Sequence, residues 1–163
     1  MMDSSTILRA SSLLGLSSSI YMSGIFFASS QLFLPLLYSI PSTTSTPLFS
    51  DLFHRGSNTI VPIQVLATLS HATAAYLDPV QRRQIGYAVA AALTIAPLPW
   101  TLGIMMPNIQ KLLQMAENVA VREKVGQEGI VQMLKTWRWQ NFVRSTLAGA
   151  GGLVGLLTFA GEI

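Results

Sequence analysis

His71 and Arg144 are the two side chains whose types are best suited to chemistry away from water. Each falls within a long apolar stretch, where an ionisable group is costly and marks a functional site by default. A neutral imidazole can take up a proton near pH 7. A guanidinium keeps its charge and offers a fork of donors to an oxyanion. Asn141 stands one helical turn before Arg144, so the two share a face. A base, a fixed cation and an amide can draw a proton from an acidic C–H or a phenol and hold the resulting anion in a low-dielectric site. A structural reading stands beside each role. His71 also suits a plain interhelical hydrogen bond, and Arg144 can extend its stem to reach the membrane surface.

Four apolar stretches must position these groups: residues 11–40, 59–77, 85–106 and 140–160. Each is about 19 residues or longer, enough for a helix to cross a ~30 Å hydrocarbon layer. Polar residues recur along them at spacings of three and four, the repeat of one helix face. Tyr21 and Gln31 lie on the first stripe, Gln64 and His71 on the second, and Thr94 and Thr101 on the third, with Asn108 on its continuation. Trp137, Asn141 and Arg144 form the fourth. Lipid penalises such groups, so the stripes are expected to face one another around a common interior. The expected fold is all-α, a four-transmembrane-helix bundle in a single domain, 1–163. An additional amphipathic helix is expected over residues 108–135, between helices 3 and 4.

Composition agrees with a bilayer as partner. Only 10% of residues are charged, against about 25% in soluble domains, and the mean hydropathy is +0.48. The net charge is +3, but the ten Lys and Arg are scattered. They form no phosphate-tracking stripe, which excludes nucleic acid. Their bias places the loops after helices 1 and 3 in the cytoplasm, and the expected location is an endomembrane such as the endoplasmic reticulum. The absence of cysteine removes thiolate nucleophiles, iron–sulfur clusters and cysteine zinc sites. With two histidines, His54 and His71, and no acid in the helix cores, neither a di-iron bundle nor a facial triad can be assembled. No phosphate-cradling motif occurs. The reading is therefore of no metal and no cofactor.

The breaks between elements are legible as well. Pro35 bends or ends helix 1, residues 41–47 read as a loop, and residues 48–53 as a short amphipathic piece at the interface. Gly56-Ser57-Asn58 reads as a break before helix 2, and Asp78-Pro79 as a turn. Pro97 and Pro99 should interrupt helix 3, leaving carbonyls that need partners. Trp100, Trp137 and Trp139 suit an aromatic belt, although Trp137 shares the face of Asn141 and Arg144 and can also wall a flat ligand. Gly149, Gly151, Gly152 and Gly155 permit close helix approach and leave room for a homo-oligomer. The first apolar stretch exceeds a secretory h-region and reads as a retained helix.

The run Pro99-Trp100-Thr101-Leu102-Gly103-Ile104-Met105-Met106-Pro107-Asn108 resembles a segment after the third helix of the fungal anthrone-oxygenase-like (noranthrone monooxygenase-like) membrane proteins. Trp137, Asn141 and Arg144 resemble that family's entry to its fourth helix, and Gly56 with Pro62 fits its second. The resemblance implies a small membrane enzyme that oxidises anthrones with dioxygen and no evident cofactor, in polyketide or related biosynthesis. The matching positions are Thr101, Pro107, Asn108, Trp137, Asn141 and Arg144. With His71, which comes from the polar stripe and not from the resemblance, the expected catalytic groups are His71, Arg144 and Asn141. Tyr21, Gln31, Gln64, Thr94, Thr101, Asn108 and Trp137 are expected to bind a hydrophobic small-molecule substrate drawn from the bilayer. Two other readings stay open: a cofactor-free cyclase or isomerase using the same acid–base groups, and a non-catalytic membrane scaffold.

Overall fold

The computed structural model describes residues 3–163. Four helical rods span Ser4–Tyr38, Ser42–Leu77, Gln81–Glu117 and Val119–Ala160. With 35, 36, 37 and 42 residues, they run about 52–63 Å at ~1.5 Å per residue. All four are long and apolar enough to cross a membrane. Each rod packs on its neighbours in sequence and the last closes on the first, an up-down-up-down ring.

Prolines shape two of the rods. The first consists of α1 (Ser4–Ala28), a π-helical turn at Ser29–Phe33 and a 3₁₀ segment at Leu34–Tyr38. The third consists of α3 (Gln81–Ile95), α4 (Pro97–Trp100), a π-helical turn at Thr101–Met105 and α5 (Met106–Glu117). The second rod is α2 (Ser42–Leu77) and the fourth is α6 (Val119–Ala160). Both wide turns close one residue before a proline. Leu34 N–H donates to Ser29 O ahead of Pro35, and Met106 N–H donates to Thr101 O ahead of Pro107. A proline ring crowds the carbonyl four residues back and supplies no N–H. The extra residue in each wide turn accommodates that ring without ending the rod, and such turns recur at functional sites.

Three expected boundaries are corrected. Residues 41–47 are not a loop. α2 starts at Ser42 because its free N–H is met from across the molecule: Ser42 N–H donates to Gln127 Oε1 at 2.7 Å, while Gln127 Nε2 donates to Ile40 O at 3.0 Å. Residues 48–53 are not a separate interfacial piece, and Gly56-Ser57-Asn58 does not break the helix. Phe49 is fully buried, edge-on to Trp137 at 5.4 Å between ring centroids. The helix continues through these residues, with the Ser57 and Thr59 hydroxyls turned back onto the carbonyls of His54 and Arg55 instead of competing for the chain's N–H groups.

The expected extra helix over residues 108–135 is not a separate element either. Asn118 leaves helical geometry, ends α5 and caps α6, its Oδ1 accepting from Val121 N–H at 3.2 Å. The two halves of the segment therefore lengthen the third and fourth rods. Buried Arg122 donates to Met115 O and closes the end of α5. Gly126, at φ 73°, kinks the start of α6 in a conformation other residues resist. The Asp78 turn matches expectation: its Oδ1 accepts from Val80 N–H at 2.9 Å and pairs with Arg83 at 3.2 Å.

The core has two unlike halves. One is filled by large apolar side chains, among them Leu34, Phe49, Met105, Ile109, Leu112, Ile130 and Leu134. Its outer surface carries Asp51, Arg55, Lys111, Glu123, Lys124 and Glu128, all exposed. In the other half helices meet through glycines and buried polar groups. Gly15 and Gly155 close on His71, Gly151 on Thr94 and Gly152 on Ile20. The exterior of that half is apolar, with Leu69, Ile85 and Leu153 each more than half exposed. Small contacts inside and large apolar side chains outside are what helices adopt when lipid replaces water.

Candidate active site

Where the two halves of the core meet, all four rods line a cavity of about 160 Å³. Its walls are Phe26 and Ser29 from the first rod, Leu52, Gly56, Ile60 and Gln64 from α2, Leu98, Thr101 and Met106 from the third rod, and Trp137, Asn141 and Arg144 from α6. Both π-helical turns border it, through Ser29 and Thr101.

Gln64, Thr101 and Asn141 are each held at a break in the regular helix backbone. Pro99 cannot donate to Ile95 O, and Gln64 Nε2 supplies the missing donor at 3.2 Å, while reaching Thr94 O at 3.0 Å. Thr101 donates to Pro97 O at 2.7 Å. Asn141 Nδ2 donates to Phe26 O and to Ser30 Oγ, both at 2.9 Å, beside the wide turn of the first rod. Both amide protons of Asn141 are thereby used, and its carbonyl faces Arg144, whose Nη1 donates to Oδ1 at 3.1 Å. The guanidinium carbon lies 4.0 Å over the Phe26 ring, so the ring's electron-rich face and the amide oxygen together steer the cation.

Among the described residues Arg144 has no acidic partner, and the ion pair is between Arg83 and Asp78, at the far turn. The Nε–H of Arg144 is buried without an acceptor, and so is the indole N–H of Trp137. No carboxylate and no histidine lines the cavity, so its one formal charge is that of Arg144. A half-buried cation with an idle, buried Nε–H donor is costly unless an anion completes it. The cavity thus pairs apolar walls with one cation that has no acidic partner among the described residues, a setting suited to an oxyanion.

The structure brings together Gln64, Thr101, Trp137, Asn141 and Arg144 and sets the other expected residues elsewhere. His71 is fully buried but does not line the cavity. Its Nε2 shares a hydrogen bond with Ser19 Oγ at 3.2 Å, and Ser19 in turn meets Thr94 Oγ1 at 3.0 Å. About 16 Å of helix rise separates Gly155, which packs on His71, from Arg144. Glycines press on the imidazole from two sides, which seals it from any ligand in the cavity. Thr94 belongs to this His71 cluster. Tyr21 is 54% exposed on the outer surface. Gln31 accepts from Arg138 in a separate surface groove with Lys135 and Trp139. Asn108 donates to Met133 O at 3.0 Å and cross-links the third rod to α6. Periodicity missed Phe26, Ser29 and Gly56. Their signals were local: an aromatic one turn before Ser30, a Ser-Ser pair upstream of Pro35, and an isolated glycine in an otherwise helical run.

The sequence model of the family described as anthrone oxygenase matches residues 49–154. The chain belongs to the anthrone oxygenase family. The family match takes in every cavity-lining residue of α2, the third rod and α6, and leaves out those of the first rod. Anthrone oxygenase AgnL2 of Paecilomyces divaricatus is 27% identical over 144 residues, covering 84% of this chain and 87% of its own length. Monooxygenase hypC of Dothistroma septosporum is 32% identical over 155 residues, covering 84% of this chain and 78% of its own. No solved structure matches significantly. Like these anthrone oxygenase relatives, the protein is an enzyme of oxygenase type in polyketide biosynthesis.

Proposed function

We propose that the protein is a membrane-embedded, cofactor-independent oxygenase that binds a hydrophobic anthrone-like polyketide as its anion and lets that anion react with dioxygen. The observation that carries this reading is Arg144, a cation without an acidic partner, held by Asn141 and Phe26 at the edge of an apolar cavity. Exposed charges lie beyond the cavity on one side and the apolar exterior begins on the other. From Arg55 to Asp78 α2 rises about 35 Å, close to one hydrocarbon thickness, which sets the cavity near a membrane surface.

In this scheme the enolic or phenolic oxygen of the substrate lies against the guanidinium, which favours its deprotonated form. The cavity holds no carboxylate or imidazole, so the proton leaves to interfacial water rather than to a side chain. His71 has no part in that step. The carbanion gives one electron to dioxygen, the radical pair joins in a new C–O bond as a peroxide anion, and interfacial water returns one proton to make the hydroperoxide. Loss of water across that carbon leaves a ketone: one CH₂ and one O₂ become one C=O and one H₂O. Gln64 and Thr101 spend their donors on carbonyls of the third rod, so the unpartnered N–H groups left in the wall are those of Arg144 and Trp137.

Oxygen uptake by the enzyme in proteoliposomes tests the scheme. One O₂ consumed per anthrone, with ¹⁸O from labelled dioxygen in the ketone, is the expected result. Full conversion under anaerobic conditions with unchanged mass would refute it and point to a cyclase.

A further inference from the structure

Most glycines in the bundle have a visible reason. At Gly15, Gly149, Gly151, Gly152 and Gly155 an added Cβ would lie 2.9 Å or less from a neighbour, and Gly126 and Gly161 have positive φ. Gly24, Gly56 and Gly103 have neither reason, and of these three Gly56 is the one that lines the cavity. Its φ is not positive, and nothing lies within 4 Å of where its Cβ would be. It occupies the interior of α2, where glycine weakens a helix relative to alanine.

We propose that Gly56 is a size-determining residue of the substrate site, whose missing side chain leaves room for the far rings of a fused multi-ring substrate. This rests on the anion-site reading given above. The ring order of the rods sets the α1–α6 wall, with Phe26, Asn141 and Arg144, opposite the wall made by α2 and the third rod. A substrate whose oxyanion meets Arg144 therefore points its other end toward Gly56. The enclosed volume of about 160 Å³ is close to the ~150 Å³ of a cavity known to admit one benzene ring. Two further fused rings must extend toward the mouth. Gly56 and Ser57 share the cavity lining with Val61 and Leu102, which are 41% and 59% exposed. These exposed apolar lining residues, one on α2 and one on the third rod, point to an apolar opening between those rods, the direction from which a lipid-dissolved compound arrives.

The test compares anthrone with phenol as probes on Gly56→Ala, Gly56→Leu and Gly56→Phe, in proteoliposomes without oxygen. Binding is read by quenching of tryptophan fluorescence. Gly56→Ala should bind anthrone nearly as wild type. Gly56→Leu and Gly56→Phe should weaken anthrone by about tenfold or more, the order expected when a pocket loses space for an apolar group, while phenol binding is kept. The thermal midpoint of Gly56→Ala should not fall, because the added Cβ meets open space; for the larger variants binding is compared per folded protein. Gly24→Phe, also in open space but outside the cavity, should change neither probe. Unchanged anthrone binding by both larger variants would overturn the proposal, and so would equal loss of both probes. Gly56→Leu supplies the readout should the phenylalanine variant not insert. If the wild type binds anthrone but consumes no oxygen, the oxygenase reading falls. The ratio of the two probes then still decides the role of Gly56.

Discussion

Replacing Arg144 with methionine separates the chemistry of the cavity from its packing. Methionine keeps an unbranched apolar stem under Phe26 and removes the charge. A full charge about 4 Å from a developing oxyanion, at an effective dielectric constant of ~20, contributes about 4 kcal/mol. At ~1.4 kcal/mol per decade this is about a thousandfold in rate. Loss of one donor from an oxyanion site falls in the same range, about 10²–10³. Stability should move the other way or stay level. The native cation makes one hydrogen bond, to Asn141, and one ring contact, to Phe26, and leaves its Nε–H idle. Those two contacts contribute about 1–3 kcal/mol together, and removing an uncompensated buried charge offsets a similar amount. Arg144→Met should therefore lose oxygen uptake with anthrone by about 10²–10³ while keeping its thermal midpoint, followed by circular dichroism in the same proteoliposomes. Arg144→Lys should fall between, since it keeps charge but not the fork. A methionine variant that turns over at the wild-type rate, or one whose activity falls only in proportion to unfolding, would refute the reasoning.

Three further substitutions probe the same frame. Asn141→Asp places a carboxylate 3.1 Å from the guanidinium, so oxygen uptake should drop by at least about tenfold because the cation is already neutralised, as opposite charges at this range are strongly coupled. A rate equal to wild type would mean that Arg144 does not face the substrate. Gln64→Leu leaves Ile95 O without the donor that replaces Pro99, at a cost of about 1–3 kcal/mol, which thermal unfolding should report as a clear fall. His71→Leu breaks the link to Ser19 and crowds Gly15 and Gly155. Stability should fall by about 1–3 kcal/mol, yet oxygen uptake per folded enzyme should persist. Abolished uptake in a stably folded His71 variant would return that residue to the chemistry.

The bundle and its polar interior were readable because lipid enforces a helical period and makes each internal polar residue conspicuous. Trp137, Asn141 and Arg144 stood out at three- and four-residue spacing, and they do meet at one cavity. Two kinds of information were hidden. One was depth along the rods: a stripe tells which face a residue occupies but not its level, so His71 and Arg144 share an interior without sharing a site. The other was support supplied from far away. The start of α2 at Ser42 depends on Gln127, and its continuity past Gly56-Ser57-Asn58 on Phe49 packing with Trp137. Asn118 and Gly126 acted through backbone geometry, which composition barely signals, so a single extra helix was expected where the third rod ends and the fourth begins.

The clamp at Gln127 bears on how the chain matures. It spans 85 positions to Ser42, so a nascent first hairpin emerges with its tip unfinished. At ribosomal speeds of ~5–20 residues per second, the missing glutamine arrives about 4–17 s later. During that interval the junction between the first two rods lacks its brace and is the natural place for quality-control factors to probe. Chains that stall before residue 127 would display an open tip, and their lifetime in the cell should be correspondingly short.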